Sequence, residues 1–251
     1  MRAIALHIII FVSSIVGAIP LWGEPVIEDR FFQGNQAYEQ ADFEDAISWY
    51  THALAHGESV ALRFNLGNAY YKAGKVGPAV YNYERALLMS PQDPDVHANL
   101  AFIRTTSSIY PEDKPLILHL AYLVSINVWI GWAVFSFWVL AFLLVIPKFL
   151  GGYSFWIKVG LVLSVSVFLL TQAALIGYHF DKERGFILYE ETPLRVSPTQ
   201  NGPLVTYLNA GQEVVFKQNY ENYTQVRLSD KQEGWIPKAS FIPLWRAQST
   251  P

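Results

Sequence analysis

The chain has 251 residues, 52% of them hydrophobic and only 16% charged, with a formal net charge of −3. That is apolar for a soluble protein, and the excess is gathered in a few blocks, which points to a membrane. No run of like charges offers a nucleic-acid footprint, and the lack of cysteine excludes disulfides, thiolate metal sites and cysteine nucleophiles.

At the N-terminus Arg2 precedes an apolar run from Ala3 to Val16 that ends in small residues. Val16-Gly17-Ala18 fits the signal-peptidase rule and predicts a signal peptide over residues 1–18, with a cut as late as Gly23 or an uncleaved anchor as the alternatives. On each of these readings the following segment lies outside the cytoplasm.

Next comes an internal repeat. The segment GNQAYEQADFEDAISWYTHAL from Gly34 aligns with GNAYYKAGKVGPAVYNYERAL from Gly67 at a constant offset of 33 residues. Gly34 pairs with Gly67, Tyr38 with Tyr71, Ala46 with Ala79, Tyr50 with Tyr83 and Ala53 with Ala86. Small residues at Gly67 and Ala79 let two helices approach, with Tyr70, Tyr83 and Leu87 filling the space between them. Gly74 supplies the left-handed position of the turn, and Pro91 stops the second helix.

Leu66, Gly67, Tyr70, Ala79, Tyr83, Ala86 and Pro91 resemble the tetratricopeptide repeat pattern. The resemblance implies repeats at 27–59 and 60–93 and a capping helix at 94–107; in the first repeat Gln33 and Ala37 depart from the pattern. Solenoids usually need about three repeats to bury a continuous core. Support from a partner or from the membrane is therefore expected.

Two apolar blocks follow, predicting transmembrane helices over 125–146 and 155–178, each near the ~20 residues that cross ~30 Å of hydrocarbon. Trp129, Trp132, Trp156 and Tyr178 lie near the block ends, as interfacial aromatics do. Lys148 and Lys158 flank the short connection 147–154, which makes that loop cytoplasmic and puts both larger segments on the extracytoplasmic side, the periplasm in a diderm bacterium. Asn127 with Gly131, and Gly160 with Ser164, Thr171 and Gln172, form small-and-polar stripes suited either to packing of the two spans on each other or to docking on another membrane protein. Neither span carries a deep charge, so transport lacks its usual signature.

Residues 185–245 change to short alternating runs broken by Gly, Pro and Asn, the pattern of a small β-barrel. Leu194-Arg195-Val196-Ser197-Pro198, Gly211, Val226 and Gly234-Trp235-Ile236 resemble the bacterial SH3-like domain. In that pattern Trp235 reads first as core; with Tyr207, Tyr220 and Tyr223 it is also a candidate groove for a peptide or a cell-wall strand. The fold class expected is thus multi-domain: α-helical tetratricopeptide hairpins, two transmembrane helices and a C-terminal SH3-like β-barrel.

Chemistry is sparse. His52 and His56 are four apart on a predicted helix but lack a third ligand, and no nucleophile elbow, phosphate loop, dinucleotide fingerprint or zinc-protease helix occurs. No catalytic residue, metal or cofactor is expected. The informative polar residues are Asn35, Asn65, Asn68 and Asn99, since an amide offers both a donor and an acceptor to an extended peptide. By the tetratricopeptide resemblance they face the concave groove, with Tyr38, Phe64, Tyr71 and Phe102 beside them, although consensus asparagines that bind only water are the alternative. Phe31 and Asp95 stand where carboxylate-gripping members carry basic residues, so a peptide-terminus clamp is not expected.

The order of the parts resembles BatE-type proteins of bacterial aerotolerance operons. That resemblance implies a membrane-anchored scaffold acting with von Willebrand-A-type membrane proteins and a MoxR-type ATPase. A cell-wall sensor whose SH3-like domain binds peptidoglycan is the other reading.

Overall fold

The computed structural model describes residues 25–109, 114–149 and 152–245. The predicted signal peptide and residues 150 and 151 of the predicted loop lie outside the described residues.

Five helices open the structure: α1 (Pro25–Glu39), α2 (Phe43–Leu54), α3 (Val60–Lys72), α4 (Val76–Met89) and α5 (Pro94–Thr106). Their starts are written locally. The side chains of Asp42, Ser59 and Asp93 accept first-turn amides of α2, α3 and α5, satisfying otherwise orphaned N–H groups. Their ends share one device. After α3 the Lys75 N–H donates to Tyr70 O and the Gly74 N–H to Tyr71 O, with Gly74 at φ +75°. The same pair of bonds follows α1 around Ala41 (φ 59°) and α5 around Ser108 (φ 53°). The repeat geometry therefore recurs three times, with only one of the three left-handed positions given to glycine. Within the hairpins, a Cβ at Gly34 would meet the Tyr50 ring at 2.4 Å and one at Gly67 the Tyr83 ring at 2.8 Å, so both glycines are seats for an aromatic ring.

The apolar segment starting at Leu116 divides. A short helix, α6 (Leu116–Ala121), precedes α7 (Ile126–Val145), and α8 runs Phe155–Phe180. Helices α7 and α8 are long and apolar enough to cross a membrane, and only 11% and 17% of their most apolar windows are buried by protein. They pack on each other through Ser136 and Ser164, whose Oγ donates to Ser136 O at 3.0 Å, and through Gly160 against Leu143. Gly131 and Asn127 take no part, since a Cβ at Gly131 would meet nothing and Asn127 is exposed. Two of the predicted interfacial aromatics are instead buried. Trp129 is 8% exposed and donates from Nε1 to Ala121 O, and Tyr178 is 2% exposed and donates to Val124 O, because α6 and the α6–α7 turn fold back over this end of the hairpin. Trp156 is 77% exposed in the first turn of α8.

Seven antiparallel strands complete the chain: β1 (Arg184–Ile187), β2 (Thr192–Arg195), β3 (Leu204–Leu208), β4 (Glu213–Tyr220), β5 (Tyr223–Arg227), β6 (Glu233–Pro237) and β7 (Phe241–Pro243). They pair in the order β3-β2-β6-β5-β4-β1-β7. Where the sequence predicts a closed barrel, the sheet is open among the described residues: β3 and β7 are its edges, and three-residue β7 is used up in pairing with β1. Ile187, Leu194, Leu208, Val214, Val226 and Ile236 form its core.

The repeats do not wait for an external partner to cover them. Helix α4 is buried on nearly every side because α3 and α5 pack on one face while the sheet, with the end of α8, covers the other. At its first turn, Gly77 lies so close to the Leu188 and Ile187 carbonyls that a Cβ would stand 2.4 Å from Leu188 O. The seam also holds charge. Arg184, first residue of β1, donates to Glu84 of α4 at 3.0 Å, to Asp181 at the end of α8, to the Tyr122 hydroxyl at 3.0 Å and to Glu213 of β4 at 3.4 Å. Arg104 of α5 reaches the other Glu84 oxygen at 2.6 Å. A second cluster lies beside it: Glu58 accepts from Arg63 and Arg85, and Arg85 also donates to Leu244 O at 2.9 Å. Both contacts place the repeats and the sheet at the same end of the α7–α8 hairpin.

Candidate functional site

Helices α1, α3 and α5 are the first helices of successive repeat units, and they set the four asparagines side by side. Asn35 Oδ1 accepts from the Tyr50 hydroxyl at 2.7 Å and from Asn65 Nδ2 at 3.1 Å. One unit on, Asn68 Oδ1 accepts from Tyr83 at 2.6 Å and from Asn99 Nδ2 at 2.9 Å. Each buried tyrosine thus fixes an asparagine pair. Burial raises the Tyr50 hydroxyl to about 12 and pushes that of Tyr83 up as well, so both stay protonated donors throughout the ordinary pH range.

The pairing consumes half of each amide. Among the described residues, the Asn35 and Asn68 NH2 groups have no acceptor, and the Asn65 and Asn99 carbonyls receive no donor. All four side chains are half-buried. The face therefore carries one unused donor and one unused acceptor per unit, oriented by the partner each amide already holds. An extended backbone presents the complementary alternation of C=O and N–H.

Asn35, Tyr38, Tyr50, Asn65 and Asn68, joined by Glu39, line a cavity of about 190 Å³. The remaining predicted residues, Phe64, Tyr71, Asn99 and Phe102, are not part of its lining. Phe64 tilts onto Tyr83 with centroids 5.9 Å apart. Tyr71 meets Phe102 edge-on, and Phe102 is 58% exposed at the far end of the same face. Phe31 packs on Tyr50 and Asp95 is an exposed first-turn residue of α5, so neither adds positive charge to this face. Tyr50, Tyr83 and Glu39 escaped the sequence reading as site residues; the alternation of Asn and Tyr fifteen residues apart in both repeats was the available signal.

On the sheet, Tyr207 and Tyr220 are exposed, Tyr220 pairs across the hairpin with Tyr223, and the Trp235 ring stands edge-on to Tyr220 with centroids 6.2 Å apart. Trp235 is only half-buried, whereas its neighbours Gly234 and Ile236 are buried. Strand alternation decides this: those two neighbours take the inward face, so the indole must point outward and is not core. Tyr207 lies on β3, at the sheet's edge, remote in strand order from Tyr220 and Tyr223 on β4 and β5, so the four aromatics do not share one cluster. His56 lies beyond the end of α2 at Leu54, which removes the one-face geometry predicted with His52.

A family model for the TPR repeat matches residues 67–104, from within α3 to within α5. No curated protein matches the chain. A repeat of this kind suggests a protein-interaction role, and the matched stretch contains Asn68, Tyr71, Asn99 and Phe102 of the candidate face.

Proposed function

We propose that the chain is a membrane-anchored, non-catalytic adaptor that binds an extended segment of a partner protein on its asparagine face. The observation that carries this reading is the half-used amide ladder: Asn35, Asn65, Asn68 and Asn99 are held in place by their neighbours while one donor and one acceptor per unit stay open. The α7–α8 hairpin supplies the anchor, with an exported N-terminus and the repeats and sheet together on the extracytoplasmic side. Their direct packing at one end of the hairpin supports a shared side. In this reading the C-terminal sheet is an SH3-like relative and the chain a BatE-type component. It would steady an envelope complex of von Willebrand-A-type membrane proteins served by a MoxR-type ATPase.

The test is co-purification of envelope proteins with the full-length chain from solubilised membranes. Asn65→Ala with Asn99→Ala leaves both tyrosine–asparagine bonds in place, so helicity and melting should stay near those of the parent while captured partners fall at least tenfold. Undiminished capture would sink the groove reading. A second reading, peptidoglycan sensing through the sheet, is favoured by the exposed Tyr220 ring standing edge-on to Trp235. Retention of the full chain on purified sacculi, lost on Tyr220→Ala with Trp235→Ala, would favour it over the adaptor.

A further inference from the structure

A cavity of about 510 Å³ lies away from the repeats, where α8 enters the sheet. Its walls are mainly apolar, with Leu188, Phe216, Phe241 and Ile242 among them, and the Phe216 and Phe241 rings stack at 6.0 Å. Its border is charged: Lys182 and Lys238 lie there with Glu183, and among the described residues neither lysine forms an ion pair. Asn219, which accepts from the Thr224 hydroxyl at 2.8 Å, adds an amide to the lining.

Position gives this chemistry its meaning. Helix α8 has 26 residues, which at ~1.5 Å each make ~39 Å, against a hydrocarbon layer of ~30 Å and a full bilayer of ~40–45 Å. Lys182 follows that helix by two residues, so in a bilayer it stands at the level of the headgroups. A cavity at that height, with an apolar wall and two unpaired ammonium groups at its mouth, matches an amphiphile that carries a phosphate above an alkyl chain. The wall would otherwise face water, and covering it with acyl methylenes is favourable. The two lysines supply charge attraction of the kind that draws juxtamembrane cations to acidic lipids.

We propose that this cavity holds one anionic phospholipid of the surrounding bilayer. Its phosphate sits between Lys182 and Lys238, and the start of one acyl chain lies against Phe216, Phe241 and Ile242. The proposal rests on the α7–α8 hairpin crossing the membrane. The bound lipid would join the seam between span and sheet from the outside, as the Arg184 cluster does from within.

The experiment uses the full-length chain in nanodiscs of phosphatidylcholine and phosphatidylglycerol, doped with a phosphatidylglycerol analogue bearing a photoreactive group near the head of one acyl chain. Peptide mapping should find label in residues 213–220 and 238–243, reduced about tenfold by K182E/K238E and about threefold by the milder K182Q/K238Q. Excess phosphatidylglycerol should compete and phosphatidylcholine should not. If the reversal variant loses its melting transition, the glutamine pair carries the test. Label confined to α7 and α8 would overturn this proposal while leaving the membrane reading intact. Label on none of these segments would overturn both. Displacement by soluble glycerol phosphate, or by a soluble muropeptide, would also overturn it, assigning the cavity to a free phosphate or to a cell-wall ligand.

Discussion

Helices α2 and α4 occupy the same place in successive repeats, yet one is a surface helix and the other is buried on nearly every side. Helix α2 buries Ala46, Ile47, Tyr50 and Ala53, a single stripe facing its own hairpin. Helix α4 buries the equivalents Ala79, Val80, Tyr83 and Ala86 and adds Gly77, Asn82, Glu84 and others. Reading across the offset of 33 residues, Gly77 stands where the first repeat has exposed Glu44, and Glu84 where it has exposed Thr51. The shared residues make the repeat, and the residues that differ make the joint with the rest of the chain.

Swapping residues between the two helices breaks that comparison most severely at Gly77. Gly77→Glu installs the first repeat's residue against two backbone carbonyls and buries a carboxylate with no donor. The expected loss is above ~4 kcal/mol, seen in hydrogen exchange as opening of β1 and β7 while α1 and α2 remain protected. Glu44→Gly, at the exposed counterpart, should leave those strands unchanged. Protection of β1 and β7 in Gly77→Glu would mean that the sheet does not depend on this contact.

Next in size is Glu84. Burial alone would raise its carboxyl, but Arg184 first, then Lys114 and Arg104, hold it well below the usual carboxylate range. A carboxylate lowered in the folded state contributes stability that is complete above the ordinary value of 4.5 and fades as pH falls toward the lowered value. Glu84→Ala leaves Arg184 and Arg104 short of a buried partner and should cost ~3–5 kcal/mol at pH 7. Thermal melts in detergent should show the deficit shrinking below pH 4.5, whereas Thr51→Ala should stay within ~0.5 kcal/mol throughout.

Glu213 sharpens the comparison from the sheet's side. It shares Arg184 with Glu84 at the longer distance, 3.4 Å against 3.0 Å, and burial leaves its carboxyl raised. A carboxyl raised on folding opposes stability as pH climbs through and above the ordinary value of 4.5. Glu213→Gln should therefore be neutral or stabilising by up to ~1 kcal/mol at pH 7, a gain that disappears on acidification. A loss at pH 7 comparable to that of Glu84→Ala would show the two carboxylates to be equal partners of Arg184.

The smallest effect compares the turns. Ala41→Gly should stabilise the first repeat and Gly74→Ala should destabilise the second, each by ~0.5–1 kcal/mol, measurable as opposite shifts in melting temperature. Shifts of the same sign would show that the two left-handed positions are not equivalent.

Much of the architecture was legible because it is periodic. The constant offset between Gly34 and Gly67, the turn at Gly74 and the two apolar blocks are local signals, and the structure carries helices or their ends at each. The joint was not legible. Glu84 and Arg184 are a hundred residues apart, and nothing in a single sequence couples them. Glu84 itself gave no sign of burial, because it stands where the first repeat exposes Thr51. Trp235 was misread because family pattern took precedence over simple alternation, in which Gly234 and Ile236 claim the interior. For the asparagine face, sequence pattern named the residues but not the tyrosine hydroxyls that orient them, since that depends on ring placement 2.7 Å away.

Between the last turn of α8 and the first residue of β1 there is only a single 3-10 turn, Asp181–Glu183, and Arg184, which follows it, bonds back to Asp181 at its start. The chain leaves the helical hairpin with no linker. For a hairpin seated in a bilayer, this makes the protein a ruler: the asparagine face is held at one height above the lipid and one compass bearing around the span. On the proposed adaptor reading, a partner would be selected by where its extended segment runs as much as by what that segment contains, and a tilt of α8 would swing the whole face as one arm.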